Sequence, residues 1–198
     1  MKSLLKNELI KNNINLEESK INALEIFANK LLWWNGVHNI SGAKTKEQVV
    51  QNIVDSIYPI TFLKEPNSML DVGTGAGFPG LILAIIWDKT KTVLSEPINK
   101  KAAFLRYIIS ELNLKNVTVF KDRVQNLKSS YFELITSRAV TDTNLLLKLT
   151  KNLSNKDTKF LFFKGSNVYN ELKELNSYKY KIVKKELRNY LLLEQKDG

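Results

Sequence analysis

The stretch Met69-Leu70-Asp71-Val72-Gly73-Thr74-Gly75-Ala76-Gly77-Phe78-Pro79-Gly80 runs from a short apolar segment through a glycine-rich turn into helical spacing. Only glycine lets a backbone fold this tightly and leaves room for a ligand against its amides. The dinucleotide fingerprint G-x-G-x-x-G would need glycine where Phe78 stands. The spacing is instead D-x-G-x-G-x-G. It favours a nucleoside cofactor without a pyrophosphate, in which the loop packs against the amino-acid part of S-adenosylmethionine. Taken alone, the same glycines also suit a plain strand-to-helix turn, so the reading depends on what flanks them.

Downstream, short apolar runs at 69–72, 92–94, 117–120, 134–136, 159–163, 180–183 and 190–193 alternate with helical patterns at 79–87, 98–113, 142–152 and 168–175. That alternation predicts an α/β fold with a mostly parallel seven-stranded sheet. No helix separates the last two runs, so the sheet is expected to end in an antiparallel hairpin with an antiparallel last strand. The 98–113 helix should turn Ile98, Ala102, Leu105, Ile109 and Leu112 toward the sheet. In a doubly wound sheet, a carboxylate ending the second strand about 20 residues after the loop can accept hydrogen bonds from ribose hydroxyls, and Glu96 stands there. Loops after the strands should converge on one rim. They carry Lys100, Lys101, Arg123, Arg138 and Lys164, with Arg106 nearby, which predicts a positive rim suited to nucleic-acid phosphates.

Upstream, apolar residues recur at Ile21, Leu24, Phe27 or Ala28, Leu31 and Trp34, and again from Glu47 to Leu63, the spacing of amphipathic helices. Glu65-Pro66-Asn67 breaks the pattern. The chain therefore divides into a helical extension, 1–66, and a Rossmann-like core, 67–198. At 198 residues it is long enough to bury about 70% of its unfolded surface as one compact unit. The absence of Cys and the single His38 exclude a disulfide scaffold, a Cys/His zinc site and a cysteine nucleophile, and no metal is expected. The net charge of +10 favours a polyanionic partner, although 26 Lys against 4 Arg, beside 21 Asn, also reflects A- and T-rich codons. The N-terminus lacks the apolar stretch of a signal peptide, and no apolar run reaches the ~18 residues of a membrane span. A soluble, cytoplasmic monomer without membrane association is expected. His38 reads as a capping or packing residue between helix and sheet. Trp33 and Trp34 suit either base stacking or the core of the helical extension. Lys164 suits either RNA or solvent.

LDVGTGAGFPG, LSEPINKKAAFLR, DRVQNL, ITSRAV and FFKG resemble, in order, segments of the bacterial RsmG family, also called glucose-inhibited division protein B. Trp34-Asn35-Gly36-Val37-His38-Asn39-Ile40-Ser41 is similar to that family's W-N-x-x-Y-N-L-T, and Val54-Asp55-Ser56 to its L-D-S. The resemblance implies a Rossmann-like enzyme that uses S-adenosyl-L-methionine to methylate guanine N7 in the decoding region of 16S rRNA, acting on rRNA or on the small ribosomal subunit. Carried over by position, it implies cofactor contacts at Gly73, Gly75, Gly77, Phe78, Glu96, Val124, Gln125 and Arg138, with Arg138 also at the transfer site. Lys100, Lys101, Arg123 and Lys164 are the candidates for RNA contact. The chain departs from the family at Gln51-Asn52, where Arg-His is common, and at His38 and Gln125, where Tyr and Glu are usual.

The chemistry agrees with this implication. Guanine N7 has a lone pair and no proton to lose, so a site without a general base suffices if placement is in line. Methylation at a pyrimidine carbon normally needs a cysteine, and the D/N-P-P-Y signature of exocyclic-amine methylases is missing. Arg138 can donate to guanine O6 or orient a phosphate. The remaining alternatives are a small-molecule methyltransferase, for which the cofactor loop would be the same, and an RNA-binding module without transfer activity.

Overall fold

The computed structural model describes residues 1–138 and 141–196. Three helices come first: α1 (Lys2–Lys11), α2 (Glu18–His38) and α3 (Lys46–Ile57). Helix α3 starts in a capping box in which Thr45 Oγ1 accepts from the Gln48 amide at 3.3 Å and Gln48 Oε1 accepts from the Thr45 amide at 3.2 Å. The expected helix to Leu63 stops earlier. Pro59 has no amide hydrogen to continue the ladder, and Tyr58–Thr61 tightens into a 3-10 turn.

The core then alternates β1 (Ser68–Val72), α4 (Gly80–Ile86), β2 (Lys91–Ser95), α5 (Asn99–Glu111), β3 (Val117–Phe120), β4 (Leu134–Arg138), α6 (Thr143–Leu149), β5 (Lys159–Lys164) and α7 (Val168–Glu171), ending with β6 (Tyr178–Lys185) and β7 (Arg188–Gln195). These strands form one seven-stranded sheet in the order β3-β2-β1-β4-β5-β7-β6. Strands β1 to β5 are parallel, and β7 runs antiparallel to both of its neighbours. The mostly parallel α/β sheet with an antiparallel last strand and a helical N-terminal extension is thus present. Among the described residues no helix is long and apolar enough to cross a membrane.

Both sheet faces are covered, as a parallel sheet requires. On one face, Leu70, Val72, Ile135 and Phe162 pack with Leu146 of α6 and Val168 of α7. The other carries α4 and α5, and helices α1 to α3 close over them: Phe27 meets Phe78 at 5.4 Å between ring centres and Phe104 at 6.0 Å. This double contact corrects the stripe expected on α5. The buried residues are Ala102, Phe104, Leu105 and Ile108, while Ile98 is exposed and Ile109 and Leu112 are only partly covered. A helix held between a neighbouring helix and a sheet buries a wider arc than one lying on a sheet alone.

Candidate active site

Sheet register brings the candidate residues together. Val72 at the end of β1 pairs with Ser95 of β2 on one side and Ser137 of β4 on the other. The next residues in each strand direction, Gly73, Glu96 and Arg138, therefore leave the sheet side by side. The chain runs outward from β1 through β2 to β3 and returns on the opposite side at β4. The β1 end is thus the topological switch point, where open α/β sheets bind ligands.

The glycine loop fits that position. Gly73, Gly75 and Gly77 have φ of 66°, 62° and 103°, in the left-handed region. At Gly77 a Cβ would also come within 3.0 Å of Leu81 Cβ. Gly80, at the start of α4, is required for a different reason: its Cβ would lie 2.4 Å from that of Asp71. Its amide donates to Asp71 Oδ2 at 2.8 Å. Asp71 is fully buried, and burial pushes its carboxyl up to about 7, against the Thr74 hydroxyl, the Gly80 amide and the positive charge of Arg138.

Glu96 is also buried, and its two oxygens accept from the amides of Gly75 at 2.9 Å and Ile98 at 2.8 Å. A carboxylate offers about four lone-pair positions, so each oxygen keeps one for a ribose hydroxyl. Ser95 Oγ donates to the Asp122 carbonyl at 3.1 Å, tying the loop after β3 to the end of β2. In the 3-10 turn that follows, Val124 is buried against Leu70 and Val72, and Gln125 is exposed.

Arg138 has a side chain only 15% exposed. Its Nη1 donates to Asn52 Oδ1 at 3.0 Å and lies 3.5 Å from Asp55 Oδ2, both on α3. Its guanidinium carbon stands 4.8 Å from the centre of the Phe78 ring. Burial pulls its pKa below the ordinary arginine value, and Asp55 opposes that pull. Ala139 and Val140, which complete the ITSRAV segment, lie outside the described residues.

The basic candidates separate. Lys100 and Arg123 are exposed and Lys101 is partly so, all after the carboxyl ends of β2 and β3, and Lys100 Nζ donates to the His38 carbonyl at 2.8 Å. Arg106 lies on the exposed side of α5. Lys164 does not lie open to solvent. It is 9% exposed, with Nζ 2.8 Å from Glu171 Oε2 and 3.0 Å from the Thr141 carbonyl. His38, by contrast, is exposed at the end of α2, its ring tilted against that of Trp34 at 5.0 Å rather than set between helix and sheet. Trp34 also packs on Phe104 and Tyr107, while Trp33 is 67% exposed. A cleft of about 490 Å³ between α1, α3 and the β6–β7 turn is lined by Asn52, Asp55 and Arg188 among others, so it adjoins Arg138. A larger one, of about 610 Å³, lies among Pro66, Glu133 and Lys159 at the opposite end of the sheet, away from the converging strand ends.

The family model for rRNA small subunit methyltransferase G matches residues 20–197. The chain belongs to that family. The ribosomal RNA small subunit methyltransferase G of Aliarcobacter butzleri is 43% identical over 96% of this chain and 98% of its own. That of Wolinella succinogenes is 43% identical over 89% and 91%. Among solved structures, an S-adenosylmethionine-dependent methyltransferase of Aquifex aeolicus shares the fold with a TM-score of 0.58 at 17% identity, over 71% of this chain and 90% of its own.

The methyltransferase G family uses S-adenosyl-L-methionine, and the residues present fit it. Asp71 Oδ1 and Thr74 Oγ1 are buried beside the glycine loop with no hydrogen bond outside their own pair, the Thr74 hydroxyl serving the Asp71 carboxyl. A hydroxyl and a carboxyl that share one hydrogen bond keep acceptor lone pairs, so the loop retains polar capacity for the cofactor. Sequence reasoning named neither as a site residue, nor did it find the contact that Asn52 and Asp55 make with Arg138. Asn52 belongs to the Gln51-Asn52 pair and Asp55 to the Val54-Asp55-Ser56 segment, both already singled out in the sequence, and those segments were the available signals.

Proposed function

We propose that this chain transfers the methyl group of S-adenosyl-L-methionine to N7 of a guanine in small-subunit ribosomal RNA. The observation that carries the reading is the placement of Arg138 beside Phe78 and the glycine loop, in a chain whose family acts on this RNA. Bound at the loop, the cofactor supplies a methyl on a sulfonium, open to in-line attack by a lone pair. Glu96 holds the ribose, Val124 and Gln125 border the adenine, and Gly73, Gly75, Gly77 and Phe78 shape the cradle for the rest.

Arg138 orients the guanine. Its Nη1 is taken by Asn52 and Asp55, and its other nitrogens have no partner among the described residues, which leaves them to donate to O6. N7 loses no proton, so no general base is needed, and in-line placement supplies the rate. Methylation turns the guanine into a cation beside the Arg138 guanidinium, which favours release of the product. Lys100, Lys101 and Arg123 neutralise phosphates of the incoming strand.

The test is transfer of labelled methyl to 16S rRNA or small subunits from cells lacking this protein, followed by nuclease digestion and mass spectrometry. Labelled 7-methylguanine is the expected product. Label on another base, or none while cofactor still binds, would overturn the reading.

A further inference from the structure

Helix α3 belongs to the segment preceding the catalytic core, yet its Asp55 lies at the centre of a charged cluster that reaches the site. The Asp55 side chain is 17% exposed. Oδ2 lies 3.0 Å from Arg188 Nη2, 3.1 Å from Arg188 Nε and 3.5 Å from Arg138 Nη1. Oδ1 lies 2.8 Å from the Tyr190 hydroxyl and 3.2 Å from Arg188 Nε. One turn earlier, Asn52 Oδ1 accepts from the same Arg138 Nη1. Three separate parts of the chain, α3, the end of β4 and the start of β7, meet at one carboxylate.

Adhesion does not account for this cluster. Helix α3 already buries Val50, Ile53, Val54 and Ile57 in the core it shares with α4. A buried ion pair adds little net stability over apolar packing, because desolvation offsets the attraction. What a cluster with fixed partners supplies is direction. Arg138 without Asp55 would be a largely buried cation on a long side chain, held from α3 by the Asn52 hydrogen bond alone. With Nη1 pinned from α3 and the guanidinium carbon over the Phe78 ring at 4.8 Å, the remaining nitrogens are restricted in direction. Arg188 and Tyr190 hold the carboxylate itself in place, so the pin does not move with Arg138.

We propose that Asp55 is a positioning residue for methyl transfer, acting by fixing the guanidinium of Arg138. The proposal rests on the reading that Arg138 orients the guanine. Its test is a double-mutant cycle of Asp55→Asn, Arg138→Ala and the pair, with kcat measured at saturating cofactor and RNA, alongside cofactor affinity and thermal midpoint. Asparagine keeps the shape and an acceptor for Tyr190 while removing the charge. We expect Asp55→Asn to lower kcat about 10- to 100-fold, the size of loss that a misplaced reacting geometry produces, with KM for RNA and cofactor affinity within about 3-fold of the parent. In the Arg138→Ala background the same change should cost less than about 2-fold, since its target is gone.

An unchanged kcat for Asp55→Asn, or an equal loss in both backgrounds, overturns the proposal. A parental rate for Arg138→Ala alone sinks the underlying reading of Arg138 instead, and with it this one. Should Asp55→Asn fail to fold, Tyr190→Phe removes the hydroxyl that donates to Asp55 at Oδ1 and at its backbone carbonyl, and keeps the ring packed on Phe163. It should lower kcat about 3- to 10-fold, an effect absorbed in the Arg138→Ala background. An unchanged rate for Tyr190→Phe then overturns the proposal.

Discussion

Two glycines of the same loop should respond differently to one methyl group. At Gly75 the added Cβ meets only the Gly73 carbonyl oxygen, at 4.0 Å, so Gly75→Ala bears just the left-handed backbone cost of roughly 1–2 kcal/mol. At Gly80 the Cβ would overlap Asp71, whose side chain is locked by burial and by the Gly80 amide. Gly80→Ala should therefore destabilise by about 3 kcal/mol or more, and urea denaturation of the two variants checks the ordering. Asp71 also predicts a pH dependence. Its folded-state pKa of about 7 lies above the ordinary 3.8, so the folded chain holds a proton that the unfolded chain has released. Stability from this group is then full below about pH 4 and falls as pH rises to about 7, by at most about 4 kcal/mol. Without cofactor, Asp71→Asn should gain on the parent in urea midpoint between pH 5 and 7.5, and a constant difference would refute the assignment. The glycine pattern was legible because only glycine tolerates those angles. Burial of Asp71 and Lys164 was not, since a charged residue in a sequence carries no mark of the partner that lets it enter the core.

At the scale of elements, hydropathy located every strand and missed the ends of most. The 92–94 and 134–136 runs extend in the structure to Ser95 and Arg138; the added residues are polar, and Ser95 and Ser137 enter the sheet because their hydroxyls donate to the Asp122 and Val72 carbonyls. Polar residues with partners of their own therefore hide strand ends from a pattern built on apolar residues. The stripe on α5 failed for a related reason: one helix answers to two surfaces, and nothing in its own spacing reveals that Phe27 of α2 will cover Phe104. The place of β7 between β5 and β6 was also beyond reach, since the order of strands is set by long-range packing rather than by local pattern. Caps were more accessible. Thr45 and Gln48 stand in the spacing of a capping box, and both of its hydrogen bonds form. Thr45→Ala should cost about 1 kcal/mol, visible as a lower thermal midpoint. Because α3 carries Asn52 and Asp55, fraying of its first turn should leave cofactor affinity unchanged and act on transfer only if it spreads to the second.

For the whole molecule, the open question is whether the charge of +10 acts as a diffuse cloud or through the end of the sheet where the strands converge. The fold separates the two cleanly. Lys100 and Lys101 follow the carboxyl end of β2, whereas Lys64 and Lys89 precede β1 and β2 at the opposite end. Either pair removes the same charge when changed to alanine, so any difference between them reports position alone. If RNA lies across the carboxyl end, Lys100→Ala with Lys101→Ala removes up to two phosphate contacts. The slope of log affinity against log salt should then flatten by roughly 1.5 to 2, with affinity lower at every salt concentration. Lys64→Ala with Lys89→Ala should shift affinity slightly through net charge and leave the slope within error, because charges far from the bound strand are screened beyond about 10 Å at 0.1 M salt. Cofactor affinity should be unchanged in both, since Glu96 and the glycine loop, not these lysines, build its cradle. Equal slopes for the two double variants would mean that the positive charge is a property of composition and that the RNA docks elsewhere.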